Sequence, residues 1–229
     1  MFERPRHRAI ARLLGGLHAG LLREMNCWFG GGTAMVMRFG EWRESSDIDM
    51  LISDWPSYKT LWERVSTEGI EAIGAVEPVR ETVTDRYGIR TLLQSDAGPV
   101  KFEIIHEGRI ELDAPGDADM VGDIATLATA NMVASKLLAN DDRRADTSLF
   151  SRDLIDLALL PATEADWTRG HAKAVAAYGA TIDSWLGRAI ETALERPGWI
   201  QRCIRELQMA VDEQLLRERL TALLDRPTD

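Results

Sequence analysis

A change of periodicity at Pro115-Gly116 constrains this chain more than any other feature. Ahead of it, VRETVTD (79–85), IRTLLQ (89–94) and VKFEII (100–105) are β-rich and are parted by Tyr87-Gly88 and Asp96-Ala97-Gly98-Pro99. Those turns suit successive antiparallel strands. DIDMLI (47–52) reads as a further strand, and Cys27-Trp28-Phe29 as a short apolar piece. Behind Pro115-Gly116 the pattern is helical, with helices expected near 119–140, 150–160, 164–178, 182–195 and 199–224. Thr163, with Asp166 three residues on, predicts a capped helix start. Helices are also expected over 4–25, weakened in the middle by Gly15-Gly16, from Thr33 to about Phe39, and from Pro56, since proline is tolerated in a first turn. The fold class is therefore α+β: a mixed β-sheet with helices in the N-terminal half, then an α-helical bundle. The domains are expected at 1–115 and 116–229.

Composition narrows the function classes. With 45% hydrophobic and 28% charged residues, the 229-residue chain has the make-up of a globular protein, and no apolar run approaches the ~18–20 residues of a bilayer span. No membrane partner is expected. The N-terminal MFERPRHRAIARLLGGLHAG reads as an amphipathic helix and not as a signal peptide. Cys27 and Cys203 form no CxxC, which points to a reducing cytoplasm. His7, His18, His106 and His171 never fall at zinc-ligand spacing. A net charge of −10 argues against a surface coated for nucleic acid but leaves room for a local basic groove. Arg143, Arg144 and Arg152 are candidates for one; taken alone, they also read as a solvated helix face.

The chemistry is concentrated in FGGGTAMVMRFGEWRESSDIDML (29–51). Asp47 and Asp49 lie at i and i+2 of the expected strand, on one face and about 6–7 Å apart along the backbone. Two carboxylates so placed can share a divalent cation or hold two metals, although a bare DxD can also mark the wet face of a strand. Gly30-Gly31-Gly32-Thr33 ends one strand and opens a helix, where glycine permits close approach of a ligand and helix N–H groups favour phosphate, although it also reads as a plain tight turn. It is not a Walker A loop, because no GK[ST] follows. In VKFEII, Val100, Phe102 and Ile104 alternate onto one face and leave Glu103 with Lys101 on the other. Glu103 could complete a cation site or accept a proton from an attacking hydroxyl. Lys136 sits between Val133 and Leu137 on an otherwise apolar helix, where a lysine needs either an anion or a route to water.

A glycine-hydroxyl turn, a short helix and then Asp47-Ile48-Asp49-Met50 resemble the signature of the polymerase-β-like nucleotidyltransferases. GGTA at 31–34, R-x-S-x-DID through Arg43, Ser45 and Asp47–Asp49, Lys136 in ASKLLANDDRR and RDLIDL at 152–157 resemble, more narrowly, the AbiEii/AbiGii toxins of type IV toxin–antitoxin and abortive-infection systems. The resemblance covers roughly residues 25–160. It implies a nucleotidyltransferase-type core and a helical domain that contributes Lys136 and Asp153 to the active site. It further implies Asp47 and Asp49 as metal ligands, with NTP as co-substrate; Mg²⁺, or Mn²⁺, suits their oxygens, and Glu103 is the candidate third ligand. Gly31, Gly32, Thr33, Arg43, Ser45 and Lys136 would bind the nucleotide. Asp153 is favoured as the active acid over Asp156, three residues on and on the same helix face, which would pack or pair with an arginine. The implied acceptor is the tRNA 3′ end, and the implied partner an antitoxin encoded nearby. Transfer to a protein side chain or small molecule, and a non-catalytic nucleotide-binding module, are the alternatives.

Overall fold

The computed structural model describes residues 2–143 and 146–226 and has the expected α+β character. It resolves into two compact units, Met1–Arg38 with Ser45–Ala128, and Phe39–Glu44 with Thr129–Asp229. Among the described residues no helix is long and apolar enough to cross a membrane.

The first unit is built on a five-stranded mixed sheet. Its strands are β1 (Trp28–Gly30), β2 (Ile48–Ile52), β3 (Val83–Thr84), β4 (Gly88–Leu93) and β5 (Val100–His106), in the spatial order β1-β2-β5-β4-β3. β2 and β5 run parallel, and every other pairing is antiparallel. Alternation sets the faces. Ile48, Met50 and Ile52 of β2 and Val100, Phe102 and Ile104 of β5 are all fully buried, each contributing about 1.5–3 kcal/mol by burial. Their neighbours Asp49, Lys101 and Glu103 point the other way. The parallel β2–β5 pair needs a long connection, and α4 (Trp55–Glu68) begins it, packing on β2, β3 and β4. Asp54 caps α4 by accepting from the Ser57 N–H at 2.8 Å, ahead of Pro56 in the first turn.

The helix expected over 4–25 is two helices, α1 (Pro5–Gly15) and α2 (Ala19–Glu24). The chain leaves α1 to bond laterally instead, with Gly16 O accepting from Ala75 N at 2.7 Å and His18 N donating to Ile73 O at 2.8 Å. Residues 119–140, expected as one helix, open instead with a ribbon, β6 (Met120–Val121) and β7 (Ile124–Ala125), closed by Gly122 at φ +60°. Gly-Asp between two apolar pairs is a hairpin turn signal. Leu127 N donates to Phe29 O at 2.9 Å, which ties the ribbon to β1.

The second unit is helical: α5 (Thr129–Arg143), α6 (Arg152–Leu159), α7 (Glu164–Tyr178), α8 (Thr181–Glu195), α9 (Trp199–Glu206) and α10 (Glu213–Ala222). α5 is central, packing on α6, α7 and α8. The expected cap at Thr163 is a full capping box: Thr163 Oγ1 accepts from Asp166 N at 3.1 Å and Asp166 Oδ2 from Thr163 N at 3.1 Å. The single helix expected over 199–224 is broken. Residues 207–210 turn aside to receive the 39–44 segment, with Glu44 N donating to Leu207 O at 3.1 Å and Ala210 N to Trp42 O at 2.9 Å. Asp212 then caps α10 through the Leu215 N–H at 2.9 Å.

Candidate functional site

β1 ends at Gly30, which pairs with Asp49, and α3 (Gly31–Phe39) begins at once. Gly31 holds φ +66°, and a Cβ there would collide with the Asp49 carboxylate. No other residue type can turn the chain there and leave that carboxylate in place. The glycine turn and the aspartate are therefore one construction, although the sequence separates them. Thr33, buried in the first turn of α3, shares a 2.7 Å hydrogen bond between its hydroxyl and that of Ser45. Ser45 N donates to Nε2 of the buried His7 at 3.2 Å. His7 was not among the sequence candidates. Its signal was that it shares an apolar face of α1 with Ile10 and Leu14.

Asp47 lies one residue ahead of β2, outside the strand expected to hold it, and Asp49 is the second residue of that strand. Ser46 Oγ donates to Asp47 Oδ1 at 3.3 Å. In the parallel register Asp49 lies beside Glu103 of β5. Glu103 is already held by cations, Arg90 Nε at 3.3 Å and Lys101 Nζ. Among the described residues no three carboxylate, imidazole or thiol side chains gather as a metal cluster. The oxygen donors of Asp47 and Asp49 suit a hard divalent cation, whereas Glu103, as placed, is engaged elsewhere.

The second block forms a buried charge network inside the helical unit. Lys136 Nζ donates to Asp153 Oδ1 at 2.9 Å and to Asp156 Oδ2 at 2.7 Å. Arg43 grips Asp156 bidentately, Nε to Oδ1 at 2.7 Å and Nη2 to Oδ2 at 2.6 Å, and Trp42 Nε1 adds a bond at 3.2 Å. Arg143 Nη2 lies 2.8 Å from Asp153 Oδ2. Asp156 is fully buried, and Lys136, Asp153 and Arg43 nearly so. Burial, the largest single influence, pushes the Asp156 carboxyl up; the charges and hydrogen bonds of Arg43 and Lys136 together outweigh it and hold the group below the usual carboxylate range. The expected anion for Lys136 is thus a pair of aspartates, and the arginine partner of Asp156 is Arg43. The Arg43 guanidinium, expected to bind nucleotide, is committed to Asp156 and the Glu44 carbonyl.

Asp153 owes its place to a strained turn. Phe150 and Ser151 are consecutive left-handed residues, φ 51° and 53°, each costing on the order of 1–3 kcal/mol. Trp199 Nε1 donates to Ser151 Oγ at 3.0 Å and the Phe150 and Trp199 rings lie 6.2 Å apart, fixing the turn from which α6 starts. Nothing in the local sequence announces this turn, since neither residue is glycine or asparagine.

The chain matches the family model described as nucleotidyl transferase AbiEii toxin, type IV TA system, over residues 13–227. Among solved structures, it is similar to a candidate nucleotidyltransferase from H. pylori, with 16% identity and TM-score 0.56 over 96% of this chain and 93% of that one. It is also similar to JHP933 from Helicobacter pylori, with 16% identity and TM-score 0.57 over 97% and 93%. At that identity the two structures speak for the fold. No curated protein gives a significant match.

Proposed function

The chain belongs to the AbiEii family of nucleotidyltransferase toxins, and with membership come nucleotidyl transfer, an NTP substrate and an antitoxin partner; on that premise we propose that it transfers a nucleoside monophosphate to the 3′ end of tRNA with Mg²⁺ as cofactor. The observation that carries this reading is the seating of Gly31 against the Asp49 carboxylate. It supports the reading because a helix start, where N–H groups favour phosphate, adjoins a carboxylate whose oxygens suit a metal.

In this reading Gly31, Gly32, Thr33 and Ser45 hold the triphosphate, and Asp47 and Asp49 hold the cation. Bound there, Mg²⁺ would neutralise phosphate charge, as Mn²⁺ could. The acceptor hydroxyl oxygen forms a bond to the α-phosphorus, the bond from that phosphorus to the bridging oxygen breaks, and pyrophosphate leaves. The hydroxyl proton passes to a carboxylate. Glu103 can serve as that base, or as a third ligand, only by leaving Arg90 and Lys101. By family resemblance Lys136 would neutralise phosphate charge and Asp153 would be the active acid; within the helical unit the two are joined by a 2.9 Å bond. Arg43 has no substrate role in this scheme. Arg143 and Arg152 favour a polyanionic acceptor; Arg144, grouped with them on sequence, lies outside the described residues.

The test is incubation of the purified protein with Mg²⁺, labelled NTPs and total tRNA. Label is expected in tRNA, is expected to fall as salt rises, and is expected to vanish in Asp49→Ala. Label in protein or in a small molecule, with tRNA untouched, overturns the acceptor. Near-wild-type transfer by Asp49→Ala overturns the metal site.

A further inference from the structure

His7 reaches the proposed triphosphate site from outside the motifs. It lies in the first turn of α1, fully buried on the face that carries Ile10 and Leu14. An imidazole on an apolar face needs polar partners. Nε2 accepts the N–H of Ser45 at 3.2 Å, so that nitrogen carries no proton and the ring acts there as an acceptor. A lysine or arginine in this place could only donate, and an aliphatic side chain would leave the amide without this partner.

The helix that carries His7 is itself braced. Arg6 donates to Ala97 O at 2.7 Å and to Gly98 O at 3.3 Å, and Arg12 pairs with Asp96. Those three residues form the turn that leads into β5, the strand beside β2. α1 is thereby tied to the sheet on which Asp49 stands.

Ser45 is where the chain re-enters the sheet unit after the 39–44 segment, two residues ahead of Asp47. It lies in no helix or strand. Its backbone is held by His7, and its hydroxyl shares the 2.7 Å bond with Thr33 in the first turn of α3. Two hydroxyls carry two protons and spend one on each other. The second remains for an acceptor, and a phosphate oxygen at the start of α3 is one.

We propose that His7 is a positioning residue for the triphosphate: by accepting the Ser45 N–H it fixes the Ser45 hydroxyl against Thr33, and the pair donates its remaining proton to phosphate. The proposal rests on the reading that Thr33 and Ser45 hold the triphosphate. His7 acts through Ser45 and not on the nucleotide itself.

The test is calorimetric titration of the full chain with Mg²⁺ and ATP, GTP, CTP or UTP, with no acceptor present, so that no transfer occurs. For the NTP bound most tightly, His7→Leu, close in volume to the native side chain, is expected to weaken binding about three- to tenfold, the worth of one hydrogen bond. His7→Gln places an amide oxygen where Nε2 lies and is expected to stay within about twofold of wild type, whereas His7→Asn reaches only as far as Nδ1 and is expected to bind like His7→Leu. The Gln and Asn variants decide the matter should His7→Leu fail to fold. Ser45→Ala is expected to weaken binding by a similar factor. In that background His7→Leu is expected to add less than about twofold, because the hydroxyl that His7 positions is gone; independent roles would multiply. With Ser45→Ala weakened, the positioning role is overturned by any of three results: wild-type binding in His7→Leu or His7→Asn, equal loss in His7→Gln and His7→Asn, or factors that multiply in the double variant. Undiminished binding by Ser45→Ala, or no NTP binding by the wild type, refutes the triphosphate reading instead, and the proposal falls with it.

Discussion

The sheet unit and the helical unit both hold carboxylates, but under opposite conditions. Asp47 and Asp49 sit partly exposed at the edge of a rigid strand, two like charges close together. Asp153 and Asp156 are buried, each meeting two cations. On the reading proposed above, the first pair would take up a cation from outside; the second cancels its charges from within. The contrast separates what removal of each pair is expected to cost: the proposed chemistry for the first, and the fold as well for the second.

Four substitutions sharpen that contrast. Asp156→Ala takes its bidentate partner from the buried Arg43 and leaves Lys136 with Asp153, and is expected to cost about 3–5 kcal/mol, a fall in melting temperature on the order of 10 °C, read by calorimetry. Asp49→Ala is expected to lose transfer by about 10²–10³-fold or more while shifting the melting temperature far less. Equal thermal effects from the two would break the comparison. Asp156→Asn tests the same network through pH. Because the folded carboxyl is held below its ordinary value, its contribution is fully present above the unfolded value of about 3.9 and drains away as pH falls below it. Urea midpoints are expected to drop between pH 5 and pH 3 more steeply in the wild type than in Asp156→Asn. Glu103→Gln is expected to be the mildest, with turnover reduced about tenfold or less, because Glu103 serves only after release from Arg90 and Lys101. A loss as deep as that of Asp49→Ala would make it a full metal ligand.

Much of this was legible in sequence where short-range rules govern. Alternation set Val100, Phe102 and Ile104 on one face, which is buried, and Thr163 with Asp166 gave the cap of α7. The motifs marked Asp47, Asp49, Lys136 and Asp153 as candidates. What escaped was decided by distant partners. Arg43 meets Asp156 across 113 residues, and no local pattern records that pairing. The break between α9 and α10 exists to bond Trp42 and Glu44. The β6–β7 ribbon has two residues a side, too few for a period to declare itself. Gly31 read as a turn residue, but that it backs Asp49 follows from the β1–β2 register.

The six residues Phe39–Glu44 belong to the helical unit although sheet-unit chain lies on either side of them. During synthesis they emerge early, and Asp156 follows 113 residues after Arg43. At ~5–20 residues per second, Trp42 and Arg43 wait on the order of ten seconds for the carboxylate they will share. The helical unit thus cannot close as an early cotranslational domain, nor be made whole by starting translation at Thr129. Its interior is completed by a piece of chain that the ribosome delivered first.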